Sequence, residues 1–212
     1  MSVHQGCFIT FEGPEGSGKS SQVKRLAAAL RRAGYRVTTL ADPGSTALGR
    51  RLRQVLLHAD LASISPMAEA LLFIAGRIQL VEERIVPALR RGEIVICDRF
   101  HDSTMAYQAF AERLDVAALD RLGRDAIGHL MPTLTIMLDV QTSVGFKRLN
   151  RRKDRMERKI RAFHERVRRG YLQIARREPR RCVVIDGTQN SETVTTEILQ
   201  VASTRLHLRT RG

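Results

Sequence analysis

Eight consecutive residues, Gly13-Pro14-Glu15-Gly16-Ser17-Gly18-Lys19-Ser20, carry the first legible chemistry in the chain. They fit G-x-x-x-x-G-K-S without a mismatch, between an apolar strand-like run and a helix-like run. The glycines let the backbone wrap tightly and aim N–H groups at phosphate oxygens, and the helix N-terminus adds its positive end. Lys19 is placed to reach β/γ-phosphates and Ser20 to ligate Mg²⁺. The expected ATP-binding set is Gly13, Pro14, Glu15, Gly16, Ser17, Gly18, Lys19, Ser20 and Ser21. The bland alternative is a glycine-rich turn before a helix. The motif is silent on the acceptor. Pro14, Glu15, Gly16 and Ser17 include no arginine, so the cation that a transferring phosphoryl group wants must come from another segment.

The second chemical stretch is "CDRFHDSTMAYQ", residues 97–108. Asp98 and Arg99 leave the end of a buried strand beside the expected phosphate site. Arg99 has the bidentate fork for an anionic acceptor, and Asp98 suits Mg²⁺ or its waters. Ser103, Thr104, Tyr107 and Gln108 form a cluster able to read a base edge and a sugar. Upstream, Phe73 and Arg77 lie four apart in "LLFIAGRIQ", on one face of a helix. An aromatic plane beside a fixed guanidinium suits a flat heterocycle; singly, the two read as a core residue and a solvated charge.

A third stretch, "LNRRKDRMER" at 149–158, carries Arg151, Arg152, Lys153, Arg155 and Arg158. Such a run is ordinarily a solvated face. The phosphate loop's lack of an arginine favours a lid that closes over ATP, supplying the transition-state cation and excluding water.

These groups need a scaffold. Short apolar runs at 7–13, 35–41, 93–98, 134–140 and 181–186 predict strands, and helical patterns fill the intervals. Helices are expected over 19–34, closed by Gly34; over 46–58; over 65–91, with Ser65 as N-cap, Pro66 in the first turn and a break or kink at Pro87; and over 191–207. The expectation is one α/β domain with a five-stranded parallel sheet flanked by helices. Ligands of such sheets bind outside the carboxyl ends of the strands.

Composition narrows the classes. The 212 residues are 43% hydrophobic and 27% charged, ordinary for a chain with a sizeable core. No apolar run reaches the roughly 18 residues that a membrane-spanning helix requires. The first residues lack the basic start of a signal peptide, so a cytoplasmic protein is expected. Cys7, Cys97 and Cys182 sit singly in apolar runs and read as buried reduced thiols. The net charge of +14 raises a nucleic-acid-stimulated ATPase as an alternative. With only 5% aromatic residues there is no stacking platform for single strands.

The quoted stretches, with "DPGSTALGRRLRQVLL" and "DRMERKIRAFHERVRRGYLQIA", make the chain resemble the thymidylate kinase family from Phe8 to about Ile198. The resemblance implies a P-loop nucleotide kinase fold with a lid at about 149–158, Mg²⁺, ATP as donor, dTMP as acceptor, and a homodimer without nucleic-acid or membrane partners. A kinase for another (deoxy)nucleotide is the near alternative. By resemblance, Phe73 stacks on thymine, Arg77 bonds its exocyclic oxygen, and Thr104 and Gln108 sit near the base. Tyr107 lies against the deoxyribose, Arg99 and Arg53 hold the acceptor phosphate, and Glu12 sits near the 3′-hydroxyl or the metal. Lys19, Arg99 and a lid arginine carry the catalysis, Arg155 first and Arg151 second. The chain departs from the family's "REPGG" with Ala41-Asp42-Pro43-Gly44-Ser45. Asp42 keeps a carboxylate there, although Asp-Pro-Gly is also good turn chemistry.

Overall fold

The computed structural model describes residues 6–58, 64–149 and 154–207. Phe8–Glu12 (β1), Val37–Ala41 (β2), Ile94–Asp98 (β3), Leu134–Asp139 (β4) and Cys182–Asp186 (β5) form one parallel sheet in the order β2-β3-β1-β4-β5. Every residue of the central β1 is buried, as a strand covered on both faces requires. The register aligns Phe11 with Asp98, Glu12 with Met137 and Asp139 with Asp186. Four strands therefore finish on a carboxylate at the same edge: Glu12, Asp98, Asp139 and Asp186.

The helices are Lys19–Arg32 (α1), Ala47–Arg53 (α2), Pro66–Leu80 (α3), Val86–Arg90 (α4), His101–Thr104 (α5), Val116–Ala126 (α6), Thr142–Lys147 (α7), Arg161–Arg177 (α8) and Ser191–Leu206 (α9). On one face of the sheet, Ile9 and Phe11 pack with Val23, Leu26 and Leu30 of α1 and Ile198 of α9. On the other, Phe8 packs with Leu80, Ile85 and Phe100, its ring edge-on to Phe100 at 4.9 Å. Burying each such phenylalanine contributes roughly 1.5–3 kcal/mol. The two-residue period of a strand then places Glu12 on the face of Phe8, beneath the helices that form the site.

The expected helices exist, with two refinements. Ser65 caps α3 by accepting from the Ala68 N–H at 3.4 Å, with Pro66 behind it. The expected 65–91 helix passes through a π-helical turn at Val81–Ile85 before α4 resumes. Pro87 is the reason, because it has no N–H to offer the carbonyl four residues back and its ring would strike that carbonyl. The expected 46–58 helix likewise becomes α2 followed by a π-helical turn at Gln54–His58. Among the described residues no helix is long and apolar enough to cross a membrane. The three cysteines are free, and burial pushes the Cys7 thiol up to about 11 and Cys182 to about 12.

Candidate active site

The phosphate loop leaves β1 and enters α1, where the motif requires it. Gly13, Gly16 and Gly18 all take positive φ, at 139°, 69° and 91°, which glycine tolerates best. A side chain at Gly16 would run into the Gly145 carbonyl, and one at Gly13 into the Leu138 carbonyl. The loop is thus clamped against β4 and α7. Lys19 bends back over it, donating from Nζ to the carbonyls of Gly13 (2.9 Å) and Pro14 (2.8 Å) and to Ser17 Oγ (3.2 Å). Burial, helped by the nearby charge of Arg99, brings the Lys19 ammonium down to about 8. Ser20 Oγ donates to Asp98 Oδ2 at 2.5 Å, so the two expected metal ligands meet.

A cleft of about 680 Å³ runs from this loop along the carboxyl edge of the sheet, within the size range of small-ligand sites. Glu15, Gly16, Ser17, Gly18, Lys19, Ser20 and Ser21 line one end. Arg53, Phe73, Arg77, Asp98, Arg99, Thr104, Tyr107 and Gln108 line the rest. The sequence's two chemical stretches are therefore one site.

Arg99 joins its halves. It sits at φ 69°, an uncommon conformation for a side-chain-bearing residue and one that clusters at functional sites. Its guanidinium donates to Glu15 Oε2 at 3.0 Å, Gly13 O at 3.4 Å, Ser103 Oγ at 3.1 Å and the hydroxyls of Tyr171 (2.9 Å) and Tyr107 (3.2 Å). The Tyr107 hydroxyl also donates to Glu15. Burial is the largest influence on Glu15 and would raise it, yet the charges of Arg99 and Lys19 hold it below the usual carboxylate range.

Glu12 does not line the cleft; it is fully buried beneath it. Its carboxylate accepts from the Phe100 N–H (2.7 Å), Ser103 Oγ (2.6 Å) and the Tyr171 hydroxyl (3.1 Å). Burial, then the neighbouring charge of Asp102, pushes it up to about 7. Asp102 is fixed by a bidentate pair with Arg181 at 2.6 and 2.7 Å, which anchors α5 to the residue just before β5.

At the far end, Arg77 is only 1% exposed. Its Nε donates to Asp42 Oδ2 at 2.6 Å, and its Nη2 to Phe100 O (3.1 Å) and Thr104 Oγ1 (3.0 Å). Nη1 is buried with no hydrogen-bond partner among the described residues. Asp42 is thus both turn residue and buried anion: the Asp42–Pro43 peptide is cis and its carboxylate faces Arg77. Burial, against the pull of Arg77, raises the Asp42 carboxyl above its ordinary range. Arg53 donates to Pro43 O at 3.1 Å, holding the same turn.

Arg155 lies elsewhere. Its guanidinium bonds Glu69 of α3 and, through Nε, Leu56 O at 2.8 Å, and its own N–H reaches Leu57 O at 3.1 Å. The neighbouring Met156 is buried in the core with Leu56, Tyr107 and Phe163. The structure therefore brings Arg155 to the α3 side of the cleft and not onto the phosphate loop. Arg151 and Arg152 lie outside the described residues.

Three groups carried no assignment from the sequence. Tyr171 bonds both Arg99 and Glu12, and nothing in "RRGYLQIA" distinguishes it from a core aromatic. Arg168 makes a bidentate pair with Asp139 at 2.6 and 2.7 Å, hidden in a general arginine excess. Glu69 accepts from Gln108 Nε2 at 2.7 Å; its spacing of four and eight residues before Phe73 and Arg77 was the available signal.

The arrangement can hold a phosphate chain between a glycine loop, a helix N-terminus and Lys19, with Arg99 as a second cation facing it. Comparison with known proteins agrees. Residues 11–198 match the family model described as "Thymidylate kinase". A thymidylate kinase of Deinococcus radiodurans is 45% identical over 207 residues, 97% of this chain and 100% of that one. One of Geobacter sulfurreducens is 44% identical over 209 residues, 95% and 98% of the two chains. A crystal structure of thymidylate kinase from Ehrlichia chaffeensis superposes with a TM-score of 0.77 at 33% identity, covering 93% of this chain and 98% of that one. Loop, cleft and relatives converge, and the chain belongs to the thymidylate kinase family.

Proposed function

We propose that the cleft transfers the γ-phosphoryl group of ATP to the 5′-phosphate of dTMP, making dTDP for dTTP synthesis. The observation that carries this reading is Arg99. One guanidinium touches Gly13 and Glu15 of the donor loop and Tyr107 of the acceptor wall. An anion held by Arg99 is therefore held against the donor's phosphates, which is the positioning that phosphoryl transfer needs.

Phe73 and Arg77 take the base, with Thr104 and Gln108 beside it. Tyr107 borders the deoxyribose and Arg53 assists Arg99 on the acceptor phosphate. No strong general base is required, because the nucleophile is already an anion. Lys19 leaves its loop carbonyls for the phosphate oxygens, a rearrangement its rotatable stem permits. Ser20 and Asp98 suit Mg²⁺ in donor type, a hydroxyl and a carboxylate, and one or two protein ligands are what that ion commonly takes. Bound there, Mg²⁺ would neutralise phosphate charge. Arg155 exchanges Glu69 for phosphate oxygens as the 149–158 lid closes over a single kinase domain, with Arg151 as second donor. We also place the protein in the cytoplasm as a homodimer, from the family resemblance.

An ADP-release assay with ATP and Mg²⁺ against dTMP, dUMP, dCMP, dGMP, AMP, thymidine and single-stranded DNA tests the reading. Turnover with dTMP far above the others is expected. Silence with every monophosphate, together with stimulation by DNA, would transfer the meaning of the +14 charge to nucleic acid. Lys19→Met should lower kcat by about a hundredfold or more.

A further inference from the structure

We propose that Glu69 is a positioning residue that sets acceptor specificity: by binding the Gln108 amide nitrogen it turns the Gln108 carbonyl to the cleft, fixing which heterocycle edge can be read beside Arg77. The inference rests on the nucleotide-acceptor reading above.

Glu69 is 1% exposed, on α3. An ionised carboxylate only accepts hydrogen bonds, so the atom of Gln108 that faces it at 2.7 Å must be the amide nitrogen. The second Glu69 oxygen meets Arg155, so only the first is turned to Gln108. Gln108 is itself buried yet lines the cleft, and among the described residues no donor bonds its Oε1. Gln108 thus offers a ligand an acceptor. Arg77 offers the opposite. Its Nε and Nη2 are taken by Asp42, Phe100 and Thr104, and its buried Nη1 is left to donate.

A donor beside an acceptor matches a pyrimidine edge with a 4-oxo group next to N3–H. A 4-amino group next to a bare N3 presents the reverse pattern and opposes both protein groups. A site built to bond one pattern rejects the other strongly, because its buried groups would be left unpaired. That discrimination fails if the Gln108 amide turns over, since a flipped amide offers a donor. Glu69 prevents the flip by confronting the amide oxygen with a carboxylate oxygen.

The test is the ratio of kcat/KM for dTMP to that for dCMP in Glu69→Gln, a near-isosteric change that lets residue 69 present either an oxygen or an NH₂ to Gln108. The ratio should fall about tenfold or more, through a higher KM for dTMP and a lower one for dCMP. A merely structural role would depress both substrates alike and leave the ratio in place. In a Gln108→Leu background, adding Glu69→Gln should move the ratio no further; an equal additional shift would show that Glu69 does not act through Gln108 and overturn the proposal. Arg155→Met, which removes the other Glu69 partner, should lower turnover with both nucleotides and preserve the ratio. If Glu69→Gln melts before assay, Glu69→Asp retains the charge but draws it back by one carbon, and an unaltered ratio there overturns the proposal equally. The two readings fail differently. A wild-type protein indifferent between dTMP and dCMP sinks the acceptor assignment itself, whereas a selective wild type with an equally selective Glu69→Gln sinks only the role of Glu69.

Discussion

Asp42→Ala is the most informative single perturbation of the acceptor end. Asp42 and Arg77 meet at 2.6 Å with their side chains 0% and 2% exposed. Removing the carboxylate leaves a buried guanidinium with Nε and Nη1 both without a partner, and breaking one side of a buried pair costs about 3–5 kcal/mol. For a chain of this size each kcal/mol moves Tm by about 2–4 °C, so the variant should melt roughly 6–20 °C lower. Freed from its Nε anchor, the guanidinium should also lose its aim, raising KM for dTMP about tenfold. The reasoning has a second arm. Burial already raises the Asp42 carboxyl despite Arg77, so the pair is expensive to keep. Asp42→Leu combined with Arg77→Met should recover most of the lost Tm while remaining poor with dTMP. Thermal melts by circular dichroism and steady-state kinetics read the two effects separately. An Asp42→Ala protein that melts within about 2 °C of wild type, with unchanged KM for dTMP, would refute the reasoning.

Three further outcomes follow from the same geometry. Phe73→Ala should weaken dTMP binding by roughly 1–3 kcal/mol, the usual worth of a base–aromatic stack, and an unchanged KM would remove Phe73 from the site. Arg155→Ala should lower kcat with little change in dTMP affinity, so a loss confined to dTMP binding would assign it to the acceptor wall. Glu12 makes stability depend on pH: its folded value of about 7 lies above its ordinary 4.5. Between those values the folded state holds a proton that the unfolded chain has released, so stability is full below the lower value and falls as pH rises to the upper one, by roughly 3 kcal/mol. In Glu12→Gln the fall in Tm between pH 5 and pH 8 should be markedly smaller; equal slopes in the two proteins would place the titration elsewhere.

The phosphate loop and the five apolar strands were determined by local sequence, whereas the meeting of the 97–108 stretch with Arg77 needed the fold, Arg77 bonding Thr104 across 27 positions. Glycines at positions that need positive φ, a Gly-Lys-Ser at a helix start and unbroken apolar runs each express short-range physics, and short-range physics is visible in one dimension. Even the π-helical turn at Val81–Ile85 was foreshadowed by Pro87. What only the tertiary structure decided is which charges meet. Asp42 finds Arg77 across 35 positions, Arg155 finds Glu69 across 86, and Arg181 finds Asp102 across 79. In a chain with 36 lysines and arginines, no local feature says which of them will be buried. Desolvation makes that selection, since a charge taken out of water persists only where the fold brings it an opposite partner. The +14 net charge therefore says little about the site, whereas the few arginines that the fold encloses define it.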